Sequence, residues 1–382
     1  MCSKISGVCI SSSLFVMGLF FSSLCACTDF LLVAKDGAAI NGRSMEFGID
    51  LYPQLVVHPK GEKLQSRAPN NGLGLSWNSQ FGYLAVNVLG LDCAVDGVNE
   101  KGLSFGALWL PGSEYENVPL SEQNKAIALQ DVGNWILGNF ETTAQVREGL
   151  EKVLIWAEPI AEIGGIPPLH IAVHDAKGNS LVIEFIRGKK RIHENKVGVL
   201  TNAPQFEWHI KNLGNYLNLR ALETGSVDLN GTVLSAPGKG GGLLGIPGDW
   251  MPSSRFVRIV AFKEFAKKPQ DFEKGVNLAF HLLNTVDIPF GANISETKKG
   301  TYFDYTQWVV VKDLKNKTLY FRTYEDIGVQ SVALDTFNLQ AEAEVVSCPM
   351  KPASVQSSDI REQFKVVKKM LATPPESSTG PF

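Results

Sequence analysis

Two apolar periods alternate along the chain after residue 26. A period of two, rich in β-branched residues, runs from Thr28 to Ala34, through the segment that leads to Arg43, and over Leu169 to Val173, Leu181 to Ile186, Trp308 to Val311 and Thr318 to Arg322. Turn-forming runs join these segments in pairs: Lys35-Asp36-Gly37, Asp175 to Asn179, and Leu314 to Lys317. Elsewhere apolar residues recur at three- and four-residue spacing, over Ala126 to Leu137, Thr142 to Val153, Ser254 to Lys267 and Asp271 to Leu283, with Thr142 and Ser254 placed as N-caps. Hairpins with helices grouped between them predict antiparallel sheets covered by helices. That is an α+β layered fold, not a parallel doubly wound one.

The two ends depart from this pattern. Lys4 is the only charge in the first 26 residues, and Val8 to Ala26 is apolar or small, which reads as a signal peptide cleaved after Ala26. An uncleaved membrane anchor is the alternative, since the stretch is just long enough to span a bilayer. From about Pro352 the chain turns polar and rich in Pro, Ser and Lys. Residues 352–382 are therefore expected to form a loosely attached tail with one helix, Ile360 to Leu371, which leaves residues 27–351 as the globular body.

Composition narrows the functions open to that body. It is ordinary globular composition, 44% hydrophobic and 20% charged. A net charge of −3, with no basic run interleaved with aromatics, gives no electrostatic case for nucleic acid. Gly240, Gly242 and Gly245 formally match a dinucleotide-binding fingerprint, but no strand–turn–helix surrounds them, and a loop that needs positive φ explains them better.

The chemistry centres on Cys27. Cleavage after Ala26 makes it the first residue of the mature chain, yet Leu24-Cys25-Ala26-Cys27 also reads as a lipoprotein box, in which the same sulfur carries lipid and cannot attack a substrate. Three cysteines remain after cleavage, Cys27, Cys93 and Cys348, so an exported protein keeps at least one free thiol. An N-terminal cysteine carries its own general base, because its α-amino group titrates near neutrality and accepts the thiol proton. No histidine is then required. The six histidines show no metal-like spacing; His170 and His174 share a strand face but stand far apart.

Cys27-Thr-Asp-Phe30 and Gly42-Arg43-Ser44-Met45-Glu46 resemble the start of the choloylglycine hydrolase family, which includes conjugated bile-salt hydrolases and penicillin V acylases. The sixteen-residue step from Cys27 to Arg43 is that family's own. Further matches follow in order: Asp96-Gly-Val-Asn-Glu-Lys-Gly-Leu103, Leu200-Thr-Asn-Ala-Pro204, Gly245-Ile-Pro-Gly-Asp249, Ser254-Arg255-Phe256-Val257-Arg258, Tyr305-Thr306 and Thr323-Tyr-Glu325. The resemblance covers roughly Cys27 to Leu334.

It implies a four-layer αββα N-terminal-nucleophile hydrolase fold and hydrolysis of a linear C–N amide through a thioester on Cys27. No cofactor or metal is implied. The implied partners are a small-molecule amide and further copies of the chain, since family members are commonly homotetramers. By the same resemblance Arg43 stands against the thiol and favours thiolate. Glu46 holds the α-amino group where the family usually has aspartate, one methylene shorter. Asn202 and the backbone N–H of Trp109 form the oxyanion hole, and Arg255 completes the site. Trp109 occupies a position where bile-salt hydrolases typically carry asparagine and some penicillin acylases tyrosine, so its side chain makes the pocket narrower and more apolar. Met45, with Phe47 and Phe105, is a candidate wall of that pocket. The expected function is thus an exported amidase, periplasmic or secreted, acting on conjugated bile salts, with penicillin V or other acyl amides and acyl-homoserine lactones as alternatives. A lipid-anchored, non-catalytic binding protein is the alternative of another class.

Overall fold

Two antiparallel sheets lie face to face in the computed structural model, which describes residues 26–297 and 300–350. The segment before Ala26 and the tail with its expected helix lie outside the described residues. One sheet has six strands in the order Val199–Leu200, Thr28–Val33, Ala39–Phe47, Tyr305–Asp313, Thr318–Thr323, Gln330–Ala333. The other has eight, in the order Lys189–Glu194, Ser180–Ile186, Leu169–His174, Ser104–Trp109, Ala94–Asn99, Tyr83–Asn87, Gln54–His58, Val346–Pro349.

Helices close both outer faces. Pro252–Phe265 and Phe272–Asn284 cover the six-stranded sheet, where Phe256, Ala279, Leu282 and Leu283 join one buried cluster with Phe30 and Ile40. Val132–Asn139 and Thr143–Leu150 cover the eight-stranded sheet, packing Val132, Ile136, Val146 and Leu150 with Tyr83, Phe105, Ile171 and Val173. Each such large apolar side chain contributes about 1.5–3 kcal/mol by leaving water. The layers run helix, sheet, sheet, helix, the α+β architecture expected from the hairpins and helices of the sequence.

All three expected hairpins form, Thr28–Val33 with Ala39–Phe47, Leu169–His174 with Ser180–Ile186, and Tyr305–Asp313 with Thr318–Thr323. Thr142 caps its helix in a complete capping box with Gln145. Two helix starts differ from the sequence reading. Ala126–Ala128 is a strand paired with Leu154–Trp156, and the helix begins only at Val132. A short apolar run has no period of its own, so the partner strand decides it. The other helix starts at Pro252, a residue whose fixed φ and missing N–H suit the first turn. Ser254 is therefore not its N-cap; its hydroxyl donates to Asp249 Oδ2 at 2.9 Å. The glycine cluster is a loop, with Gly240 and Gly245 at φ of +94° and +92°.

Candidate active site

Alternation along Ala39–Phe47 divides its side chains between the two faces of the sheet. Arg43 and Met45 point between the sheets, while Ser44 and Glu46 point toward the helices. Asp29 pairs with Arg43 and Thr28 with Ser44, so Cys27 stands just past the paired end of its strand, next to Met45. Its Sγ lies 3.8 Å from Met45 Sδ, and the residue is 2% exposed. Ala26, to which it is still bonded, is buried as well.

Arg43 reaches across to the eight-stranded sheet. Its Nη1 donates to Asp96 Oδ2 at 2.9 Å and its Nη2 to the carbonyl of Ala107. Gly106 makes the room: a Cβ there would come within 3.2 Å of Asp29 Oδ2 and 3.3 Å of Arg43 Cδ. Burial pushes the Cys27 thiol up, and Arg43 is the largest influence in the other direction. The guanidinium thus acts as expected, but burial outweighs it and the thiol ends above its ordinary value.

Arg255 approaches Cys27 from the helix side. Its Nη1 donates to the Cys27 carbonyl at 2.5 Å and to Thr28 Oγ1 at 2.6 Å, and its Nη2 donates to Asn202 Oδ1 at 2.7 Å. That bond fixes which end of the Asn202 amide is which. Asn202 Nδ2 donates to the Trp109 carbonyl at 2.8 Å, leaving its second hydrogen for another acceptor. Two histidines hold the backbone here, His170 Nε2 at 2.8 Å from the Thr201 carbonyl and His209 Nε2 at 2.9 Å from that of Asn202. Burial pulls Arg255 down to about 10, against the opposing pull of the Glu46 charge.

Glu46 accepts from Thr306 Oγ1 at 2.8 Å and from Ser44 Oγ at 3.1 Å. Burial pushes its carboxyl up to about 7, despite Arg255 and those two hydroxyls. Trp109 is buried, meets Phe47 edge to face at 5.6 Å between centroids, and its indole N–H has no partner among the described residues. The seven residues singled out from the sequence, Cys27, Arg43, Met45, Glu46, Trp109, Asn202 and Arg255, therefore converge. Phe105 does not; it packs on the far face of its sheet against the helices.

Several charged groups in the same layer were not foreseen. Lys312 Nζ ion-pairs with Asp96 Oδ1, and His174 Nε2 lies 2.6 Å from Asp29 Oδ1. Although burial works against it, contact with His174, the charge of Lys312 and the Asn41 amide hold the Asp29 carboxyl below the usual carboxylate range. A lysine inside the run Trp308 to Val311 and onward was the one available signal, since apolar strands seldom bury a charge without a partner. Among the described residues, no group of three or more His, Cys, Asp or Glu is placed to hold a metal ion.

A buried sulfur beside one guanidinium, with an amide donor fixed by a second, has the parts of an acyl-transfer site: a nucleophile and a donor for developing oxyanion charge. The family model described as linear amide C–N hydrolases, choloylglycine hydrolase family, matches residues 27–347. The bile salt hydrolase/transferase of Clostridium perfringens is 30% identical over 315 residues, 82% of this chain and 94% of that protein. The penicillin V acylase of Pectobacterium atrosepticum is 25% identical, covering 88% of each. Among solved structures, the conjugated bile acid hydrolase of Clostridium perfringens superposes with a TM-score of 0.75 at 27% identity, over 87% of this chain and 99% of that one.

Proposed function

The chain belongs to the choloylglycine hydrolase family and is a linear-amide C–N hydrolase of the N-terminal-nucleophile fold; from that premise we propose that Cys27, made N-terminal by removal of residues 1–26, is its nucleophile and that a conjugated bile salt is its substrate. The observation that carries this reading is the convergence of Arg43, Asn202 and Arg255, from three separate segments, on Cys27 and its flanking backbone.

The reaction follows from those positions. The α-amine takes the thiol proton, and the thiolate attacks the substrate carbonyl. The free hydrogen of Asn202 Nδ2 faces the oxyanion, whose charge it stabilises as it develops. The C–N bond breaks, the α-ammonium returns a proton to the departing amine, and the acyl group remains as a thioester on Cys27. Water then attacks the thioester, the α-amine takes its proton, the acyl C–S bond breaks, and the free acid leaves with Cys27 as thiolate beside the protonated amine. Arg43 favours the thiolate from between the sheets, and Glu46 holds the ammonium from the helix side. The apolar leader pattern of residues 1–26 supports export to the periplasm or the medium.

A second substrate reading rests on Trp109, Phe47 and Met45. Met45 sets its thioether beside the sulfur, and Phe47, two residues further along the same strand, packs edge to face on Trp109, an apolar surface that favours an aryl-acyl amide such as penicillin V over a steroid acid. Hydrolysis of a glycine-conjugated bile salt and of penicillin V, each followed by amine release, tests both. The first reading expects faster release of glycine, and faster cleavage of penicillin V moves the assignment to the second. Failure to cleave either amide contradicts both.

A further inference from the structure

Four charged side chains, Asp29, Arg43, Asp96 and Lys312, are each at most 1% exposed in the layer between the sheets. Two carboxylates face two cations, with His174 also on Asp29 at 2.6 Å, but a paired buried set of this kind is no more stabilising than apolar side chains of the same volume. Its geometry is specific. Asp96 gives one oxygen to Lys312 and to the backbone N–H of Gly97, at 2.7 Å for the latter, and its other oxygen to Arg43 Nη1 at 2.9 Å. The carboxylate plane is thereby fixed. With the Ala107 carbonyl on Nη2, two acceptors on the opposite sheet define the orientation of the guanidinium, and its Nε is left without a partner among the described residues. Lys312 also stands across from Asn41, whose Nδ2 donates to Asp29 Oδ2 at 3.1 Å, so the same lysine adjoins both carboxylates that flank Arg43.

We propose that Lys312 is a positioning residue: by occupying one oxygen of Asp96, it keeps that carboxylate from taking Arg43 side-on and so holds the guanidinium toward the Cys27 thiol. Without Lys312, Asp96 Oδ1 keeps only the Gly97 N–H, and its second lone pair opens to a bidentate pair with Arg43, the geometry arginine and carboxylate prefer. The guanidinium then turns toward Asp96 and away from sulfur. This inference rests on Cys27 as nucleophile and Arg43 as its cation, but its test needs no knowledge of the substrate.

The purified protein is alkylated with iodoacetamide across a range of pH, and modification of Cys27 is read by peptide mass apart from Cys93 and Cys348. In Lys312→Met the midpoint should rise, slowing alkylation at fixed pH about tenfold, the change that one pKa unit brings. On whichever amide the wild type cleaves, kcat should fall while KM stays near its value, and Lys312→Arg should restore both. In the double variant Asp96→Asn/Lys312→Met no carboxylate remains at position 96 to take Arg43 side-on, so its Cys27 midpoint should match that of Asp96→Asn alone, a comparison that holds even if the single Lys312 variant fails to fold. A folded Lys312→Met with the Cys27 midpoint of the wild type, or a double variant whose midpoint stands above that of Asp96→Asn, overturns it. Unchanged chemistry together with a lowered melting temperature would mark the lysine as structural only.

Discussion

Cys27 and Glu46 carry the most exposed commitments at the scale of single residues. Cys27→Ser should cost on the order of a thousandfold or more in amide hydrolysis, since the other groups act through that sulfur, while thermal unfolding stays near that of the wild type. Wild-type turnover in the variant would remove Cys27 from the mechanism. Glu46 has a pH signature. Its carboxyl titrates at about 7 while Ala26 remains bonded to Cys27, against an ordinary value of 4.5, because burial favours the neutral form. The stability it contributes is fully present below pH 4.5 and is lost as pH rises through 7. Urea unfolding of the uncleaved chain should lose about 3 kcal/mol across that window through this group, and Glu46→Gln should flatten the loss. A pH dependence identical in the two proteins would contradict the assignment. In the mature protein the new α-ammonium stands to lower that carboxyl, and Glu46→Asp should keep or raise activity; a folded, inactive aspartate variant would show that the longer side chain is required. Cys27 was legible from the leader pattern before it, whereas Arg43, Met45 and Glu46 were named through the resemblance, although one hairpin brings all four together in sequence and in space. Asn202 and Arg255 came only through the resemblance. Lys312 and His174 were missed, since their partners Asp96 and Asp29 lie 216 and 145 residues away.

Elements read well where they carried their own signals and poorly where a neighbour decided them. Thr142 was legible as a cap, and its capping box makes a direct prediction: Thr142→Ala should cost about 1 kcal/mol in chemical denaturation, with catalysis unchanged. No loss would mean that another acceptor takes the Gln145 N–H in place of the threonine hydroxyl. Ala126 to Ala128 and the start at Pro252 were misread, the first because a strand partner overrides a short apolar run and the second because a proline at the first turn displaces a plausible serine. The strand Ser104–Trp109 serves the site through a position with no side chain. Gly106→Ala places a methyl against Asp29 Oδ2 and Arg43 Cδ, so it should both destabilise the fold and slow Cys27 alkylation. Normal alkylation of a folded Gly106→Ala protein would show that the guanidinium tolerates displacement.

The layered architecture of the whole molecule was legible from hairpins and helices, but the strand order was not. Neighbours such as Ala39–Phe47 and Tyr305–Asp313 are far apart in sequence, and it is that pairing which puts Glu46 beside Thr306 and Arg43 near Lys312. Assembly belongs to this scale too. The hairpin of Val227–Leu229 and Thr232–Leu234 leaves Val227, Leu229, Val233 and Leu234 more than half exposed, a surface suited to contact with further copies of the chain. Light scattering should give a tetramer, and replacing those four residues with serine should give smaller species; a monomeric wild type would contradict the expectation. The proposal that removal of residues 1–26 exposes Cys27 as nucleophile is tested most directly by the intact mass of the protein purified from its native host. The predicted mass is that of a chain beginning at Cys27 with a free thiol and a free amine. A chain that retains residues 1–26, or a Cys27 bearing a diacylglycerol, would contradict it.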